Sequence, residues 1–459
     1  MTVINTSPLH RSISDRSARI TIWGAGFIGL SAATAFVQEG FRCSVVDVNA
    51  SRVRCINAGT VPLPGFEDRV HLDPQALRDG RLRAVSPDDT DALDAQIHLI
   101  CVNTERGGKA FRDPLQAVLK AIGSAHRADR ELLVSIESTV SVRWLDLVLP
   151  LLTGATGVVG TGIHLATAPR RDWLLDPEMN LRSLPRVVGT LNPASQPLVT
   201  ELYGTVSDVV HMTGDWTRAA LSKSVENLYR YVDLVLTNQL AEAYPDLDMA
   251  EVFRLAGTKW NVPTLHPSIG IGGYCIPLSP HYAGDGLLGE GQLPLVDSAL
   301  NWDATHSSRV AQWLTSKFDG PIGILGVSYA PDVLLPQGSP TLALAAALSA
   351  RGADVRLHDP FLSTEEVIAL GEGARALRWP EDLASVRTLV IATPHTAYAK
   401  LPDHLSALND PPTVIDSLGR MRDVLAGTKV RYVEMGTPAL WAEHDPALVN
   451  GTSGSDATR

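Results

Sequence analysis

The 459-residue chain, 45% hydrophobic and 19% charged, carries enough apolar material for two or three globular domains with separate cores. Its formal net charge of −11 argues against nucleic-acid binding, which needs concentrated Lys and Arg to meet phosphate. The polar stretch 1–17 lacks an apolar core of signal-peptide length, and no segment reaches the roughly 20 apolar residues of a membrane span, so a cytoplasmic protein is expected. Four scattered cysteines, Cys43, Cys55, Cys101 and Cys275, without CxxC spacing suggest neither a disulfide framework nor a metal site.

The first part of the chain alternates short buried-strand runs (Ile20 to Trp23, Cys43 to Val48, Ile97 to Val102, Leu132 to Ile136) with helical patterns, the rhythm of a parallel, doubly wound sheet. Within it, Trp23-Gly24-Ala25-Gly26-Phe27-Ile28-Gly29 follows a strand and opens a helix that ends at Gly40. Gly24 permits the tight turn, Gly26 lets the backbone approach a pyrophosphate, and Gly29 lets the helix pack close to the sheet while its first amides face phosphate. The next strand ends at Asp47, where a carboxylate accepts hydrogen bonds from a ribose diol and repels a 2′-phosphate. NAD is therefore expected over NADP, with Arg52 the residue that would accommodate the extra phosphate instead. On this motif alone FAD is the competing dinucleotide.

From about Thr213 to Tyr244 the turn residues vanish, predicting one long helix followed by another at Met249 to Ala256, hence a helical middle domain. Lys223 and Asn227, four apart, share a face of the long helix. As adjacent donors they suit an alkoxide or thiohemiacetal oxyanion, and a desolvated lysine can exchange a proton with a hydroxyl. The plainer reading is a solvated polar stripe, and Glu226, off that face, is expected in solvent. Farther on, Gly270, Gly272, Gly273 and Pro277 bend the backbone around Cys275, where a thiolate can attack an aldehyde. The plainer alternative is a small buried cysteine in a tight loop; the other three cysteines are expected as small core hydrophobes. The β/α rhythm returns with Ile322 to Val327, Asp354 to His358, Thr388 to Ala392 and Thr413 to Asp416. The fold class expected is α/β, two Rossmann-like doubly wound domains joined by a central helical domain. The boundaries expected are a disordered tail over 1–17, a dinucleotide domain over 18–204, a central helical domain over 205–317, a second α/β domain over 318–439 and a frayed tail over 440–459.

These motifs, in this order, resemble the UDP-glucose/GDP-mannose dehydrogenase family from about Ile20 to Arg420. The glycine turn, Ile100-Cys101-Val102-Asn103-Thr104, Glu137-Ser138-Thr139-Val140, the Lys223/Asn227 helix, the Gly270 to Pro277 loop and Leu325-Gly326-Val327-Ser328-Tyr329-Ala330-Pro331-Asp332 each echo a family block. The tract from Ala256 to Tyr282 looks most like the branch acting on UDP-N-acetylhexosamines. The resemblance implies a cytoplasmic, dimeric, NAD-dependent enzyme of polysaccharide or secondary-metabolite biosynthesis that oxidises the C6 alcohol of a nucleotide sugar in two hydride transfers. It implies that Cys275 forms a thiohemiacetal and then a thioester, that Lys223 and Asn227 stabilise the oxyanions, that Thr139 positions water or the hydroxyl, and that Thr104 lies along the cofactor. Sulfur, ammonium, amide and nicotinamide are expected to converge on one carbon.

Departures gather at the chemistry. Where the family carries a glutamate after proline this chain has Arg170, and where it carries an aspartate four residues beyond the cysteine it has Ser279. Tyr274 stands for a histidine, Ala330 for a lysine, and Gln337 or a close neighbour for an arginine. Arg170 is expected to pair with an extra anionic group of the substrate, with exposure to solvent as its alternative. Gly270, Gly272, Gly273 and Ser279 are expected to line the substrate. Two further readings stay open: a catalytically impaired NAD- or nucleotide-binding paralogue, and a one-step hydroxyl dehydrogenase with no use for Cys275.

Overall fold

Apolar runs of four or five residues, too short for a core helix and separated by helical segments, become strands buried on both faces. The computed structural model describes residues 7–127, 129–153, 162–172, 176, 178–287 and 291–438. Its packing divides the chain into two compact units, Met1–Tyr229 with Pro277–Leu293, and Arg230–Ile276 with Pro294–Arg459.

In the first unit β1 (Arg19–Trp23), β2 (Arg42–Val46), β3 (Leu82–Val85) and β4 (Ile97–Ile100) are followed by a short hairpin, β5 (Glu105–Arg106) and β6 (Lys109–Ala110). Then come β7 (Leu132–Ile136), β8 (Ile163–Thr167), β9 (Arg186–Thr190) and β10 (Val210–Thr213). The eight-stranded sheet runs β10-β9-β8-β7-β4-β1-β2-β3, so its order reverses between β1 and β4, the place where doubly wound sheets open a ligand crevice. Register is fixed by apolar pairs such as Ile22 with Val45 and with Leu99. The expectation of a wholly parallel sheet needs correcting, because β9 pairs antiparallel with β8. Leu30, Ala33, Phe36 and Val37 of the cradle helix (Phe27–Gln38) pack on Ile20, Ile22 and Val45, each large side chain contributing about 1.5–3 kcal/mol. That helix stops at Gly40, which has φ +96°, while the Phe41 amide donates back to Phe36 O at 3.0 Å.

The stretch expected as a disordered amino-terminal tail holds a helix, Pro8–Ser14, started by the Ser7 side chain accepting from the His10 amide. Leu9 and Ile13 bury an apolar edge that composition alone masked. Residues 1–6 and the expected tail over 440–459 lie outside the described residues.

The long helix, Trp216–Ala243, spans 28 residues, and the helix Met249–Ala256 follows it. In the second unit β11 (Ile322–Leu325), β12 (Val355–His358), β13 (Arg375–Ala376), β14 (Thr388–Ile391), β15 (Thr413–Asp416) and β16 (Tyr432–Glu434) form a parallel sheet in the order β13-β12-β11-β14-β15-β16. Its turn after β11 is closed from within: Asp359, just past β12, accepts from the Val327 and Ser328 amides at 2.9 and 2.8 Å, with His395 Nε2 3.3 Å away. Among the described residues no helix is long and apolar enough to cross a membrane.

Candidate active site

The glycine turn has the geometry a pyrophosphate needs. Gly24 sits at φ +102°, and a Cβ there would lie 2.6 Å from Cys101 O; one on Gly29 would lie 1.9 Å from Gly24 O. Gly26 differs, because a Cβ there meets nothing within 4 Å. No side chain caps the cradle helix, so its first amides, from Phe27 onward, keep their donors for a ligand. Asp47 is held by the Ala25 amide on Oδ2 at 2.8 Å and the Asn49 amide on Oδ1 at 2.7 Å, with Arg52 Nη1 3.8 Å from Oδ2. The bare face of Gly26, the uncapped helix start and the anchored acid fit a dinucleotide. The ring of Phe27 packs on Phe66 at 5.0 Å, and Arg69 lies over the Phe66 ring with Nη1 buried and without a hydrogen-bond partner among the described residues.

Arg170 does not reach for a substrate anion, nor does it face solvent, and both expectations are corrected. It is 5% exposed; Nε donates to Asp172 Oδ1 at 2.9 Å, Nη2 bonds Asp172 Oδ2, and Glu137 Oε2 is 3.8 Å from Nη1. Burial alone would push the Asp172 carboxyl up, and Arg170 beside it holds it below the usual carboxylate range. Sequence reasoning missed Asp172 because a carboxylate two residues along reads as an ordinary loop acid.

The Thr104 hydroxyl and carbonyl are both engaged within the protein. The hydroxyl donates to Thr139 O at 2.7 Å and shares a 2.8 Å hydrogen bond with the Tyr282 hydroxyl, which also donates to Thr104 O at 2.7 Å. Thr104 and Tyr282 thus brace the ends of β4 and β7 against the cysteine helix (Cys275–Asp285). The Thr139 hydroxyl, half-buried, has no partner among the described residues. On the long helix Lys223 is 8% and Asn227 3% exposed, which overturns the solvated-stripe alternative, and Asn227 Nδ2 is buried without a hydrogen-bond partner among the described residues. Glu226 is not simply solvated: its Oε1 is 2.9 Å from Arg171 Nη2.

In the second unit Cys275 is exposed and begins a helix rather than sitting within a loop. The three glycines before it are required by the protein's own packing. A Cβ on Gly270 would lie 2.9 Å from Pro340 Cβ, one on Gly272 2.7 Å from Pro340 Cδ, and one on Gly273 2.9 Å from Tyr329 Cε2. The Gly273 amide also donates to Gly338 O at 3.1 Å. Tyr329 and Pro340 therefore template the turn that presents the thiol, a role invisible until the chain folds. Ser279, expected to face substrate, is 1% exposed, as buried as Asn227. Of the other cysteines Cys43 is buried and Cys55 and Cys101 half-buried; burial pushes the Cys43 and Cys101 thiols far up. Among the described residues no His, Cys, Asp and Glu cluster is placed to hold a metal.

The structure thus gathers Gly24 to Gly29, Asp47, Arg52, Thr104, Thr139, Arg170, Lys223 and Asn227 in the first unit, and Gly270 to Gly273 with Cys275 in the second.

Sequence profiles of three domains match this chain: the UDP-glucose/GDP-mannose dehydrogenase family NAD binding domain over residues 18–207, its central domain over 217–286 and its UDP binding domain over 323–422. A UDP-N-acetyl-D-mannosamine dehydrogenase of Methanococcus aeolicus is 26% identical over 368 residues, covering 77% of this chain and 81% of its own. One from Pyrococcus horikoshii is 27% identical over 408 residues, covering 83% and 90%. The solved structure of a UDP-D-ManNAc dehydrogenase from Pyrococcus horikoshii superposes with a TM-score of 0.77 at 22% identity, covering 92% of this chain and 100% of that one. A UDP-glucose dehydrogenase from Pyrobaculum islandicum gives 0.75 at 22% identity, covering 92% and 98%. These structures share its fold. The chain belongs to the UDP-glucose/GDP-mannose dehydrogenase family of NAD-dependent oxidoreductases.

Proposed function

We propose that this chain oxidises the C6 primary alcohol of a UDP-activated N-acetylhexosamine, with Cys275 as the nucleophile that carries the sugar from aldehyde to acid. The exposed thiol at the first residue of a helix, presented by a glycine turn wedged on Tyr329 and Pro340, is the observation that carries this reading. The sugar class is supported by relatives named UDP-N-acetyl-D-mannosamine dehydrogenase. NAD, when bound, accepts hydride from C6. The chain's part is to hold and polarise. Uncapped amides after Gly26 bind pyrophosphate, and Asp47 takes the ribose hydroxyls. Lys223 and the unpartnered Asn227 amide donate to the substrate oxygen as it gains charge, and Thr139 positions the hydroxyl or the hydrolytic water. Cys275 Sγ adds to the aldehyde carbon, the resulting thiohemiacetal gives up its hydride to a second NAD and its hydroxyl proton to solvent, and water cleaves the thioester to the acid and the free thiol.

Domain limits near 204 and 317, a homodimer and a cytoplasmic location belong to the same proposal. The dimer is supported by Leu221, Val225, Tyr229 and Leu236, exposed on one stripe of the long helix. The location is supported by the compartment where NAD and nucleotide sugars are supplied. A reaction that stops after one hydride transfer is the second reading, favoured because Arg170 is ion-paired internally and Ser279 is buried.

The test is NADH absorbance with a panel of UDP and GDP sugars, using wild type and Cys275→Ser. Two NADH per sugar, with the acid lost in the variant, is expected. One NADH selects the second reading; full acid formation by Cys275→Ser, or no NADH from any nucleotide sugar, refutes the proposal.

A further inference from the structure

Four charged side chains, each under one-tenth exposed, meet below the glycine turn of the first unit. Glu137 follows β7, Arg170 and Asp172 follow β8, and Arg186 opens β9. Arg186 Nη2 lies 2.8 Å from Glu137 Oε2, and the Tyr203 hydroxyl donates to Glu137 Oε1 at 2.9 Å while sharing a 2.7 Å hydrogen bond with Ser135. The Cys101 thiol, after β4, also feels these charges. Two guanidiniums face two carboxylates, so the cluster is neutral. Arg170 alone extends from it to the dinucleotide motif: Nη1 donates to Ile28 O at 3.1 Å and Nη2 to Ser31 Oγ at 3.0 Å. Ile28 belongs to the first turn of the cradle helix, whose amides must meet the pyrophosphate, and that turn carries no acidic residue.

We propose that Arg170 is a positioning residue for the cofactor: it clamps the first turn of the cradle helix to the strand ends and, paired with Asp172, keeps the ground beneath the pyrophosphate uncharged. This rests on NAD occupying the Gly24 to Gly29 turn. A planar guanidinium is suited to the task, since its three nitrogens reach Asp172, Ile28 and Ser31 from one rigid fork, whereas an ammonium's three donors radiate from a single nitrogen that cannot span those sites. Without Arg170, Asp172 and Glu137 face Arg186 alone, so a buried carboxylate either repels the dinucleotide or takes up a proton. Asp172 is the group that would respond, because burial already pushes it up and Arg170 opposes that push.

The cofactor affinity of Arg170→Gln therefore acquires a pH dependence that wild type lacks from this source. NADH fluorescence titrations of the full chain between pH 6 and 8.5, with thermal melts alongside, test it on Arg170→Gln, Arg170→Lys and Arg170→Gln/Asp172→Asn. We expect Arg170→Gln to bind NADH about tenfold more weakly at pH 8.5, roughly 1.4 kcal/mol, and to recover as pH falls to 6. The double variant, with one carboxylate and one guanidinium left, is expected to bind within about threefold of wild type at every pH. Arg170→Lys, which keeps the charge and loses the fork, is expected to weaken binding equally at all pH. Arg170→Gln binding like wild type, or weakened equally at all pH with no rescue in the double variant, overturns the proposal. Should Arg170→Gln fail to fold, a double variant that folds and binds NADH upholds the charge argument, and one that folds without binding overturns it. Wild type that binds no NADH defeats the cofactor reading itself.

Discussion

Gly26 and Gly29, three residues apart in one motif, carry opposite expectations when each becomes alanine. At Gly29 the new Cβ would stand 1.9 Å from Gly24 O, more than 1 Å inside the 3.0 Å that Cβ contacts respect, and both partners are backbone. The helix must move off the turn, at about 1–3 kcal/mol or more. At Gly26 the Cβ meets no atom within 4 Å beyond its own chain neighbours among the described residues, and the backbone, at φ −79° and ψ −178°, suits an L-residue. Restricting the unfolded chain contributes about 0.4–1 kcal/mol and the poorer helix cap takes back a similar amount, so stability changes by about 0.5 kcal/mol or less. The same methyl stands where the pyrophosphate would approach the helix amides. Losing one charge-assisted hydrogen bond costs about 1.5–3 kcal/mol, a ten- to hundredfold weaker Kd. Thermal melts and NADH titrations on both variants check this: Gly26→Ala should melt like wild type and bind poorly, whereas Gly29→Ala should melt early. A Gly26→Ala protein that binds NADH normally, or that unfolds, refutes the assignment of the open face to cofactor.

Iodoacetamide should label Cys275 in the native protein well before Cys43 or Cys101, whose thiols burial has pushed far up; mass spectrometry after timed quenching reads the order, and prior reaction of Cys43 would contradict it. Asn227→Leu removes a buried amide whose Nδ2 has no partner, so the melting point should hold while kcat falls about 100-fold or more; unchanged kcat would remove Asn227 from the chemistry. Burial pushes the His98 imidazole down to about 4, with Nδ1 accepting from Trp23 Nε1 at 3.1 Å and Nε2 facing Ala95 O. The unfolded chain binds this proton more readily, so stability is full above pH 6.5 and declines as pH falls from about 6.5 towards 4. The linkage is worth about 2 kcal/mol at pH 5, and urea midpoints of wild type and His98→Phe should converge in their pH slopes only if another group dominates.

Strand positions and the two doubly wound sheets were legible because parallel strands buried on both faces read as apolar runs; β7 and β15 coincide with their expected limits, as does the helix Met249–Ala256. Strands β8 and β9 were less legible, since Ile163–Thr167 and Arg186–Thr190 mix polar residues into short runs. Residue types at the site were readable and their neighbours were not. A lone Arg170 suggests an unmet charge, and only folding brings Asp172 and Glu137 to it. Glycines near a cysteine suggest room for a ligand, yet Tyr329 and Pro340, some 60 residues on, fill that room. Thr104 looked available until Tyr282 arrived from the cysteine helix. In each case sequence reported the chemistry of one side chain, and long-range packing decided whether it was already spent.

Asp359 shows such spending with a kinetic result. Its carboxylate, closed over by Val327, Ser328 and His395, has nothing left for a ribose, and Thr341, in the first turn of the next helix, donates to Gly326 O at 2.9 Å and so ties up the turn after β11. The second sheet keeps the strand order of a dinucleotide fold with its berth sealed. Among the described residues the Gly24 to Gly29 turn is thus the one berth left for NAD, and on the proposed mechanism an acid-forming turnover swaps reduced for oxidised cofactor midway while the half-oxidised sugar stays tethered to sulfur. The lifetime of that tether against the speed of the swap decides how much aldehyde escapes.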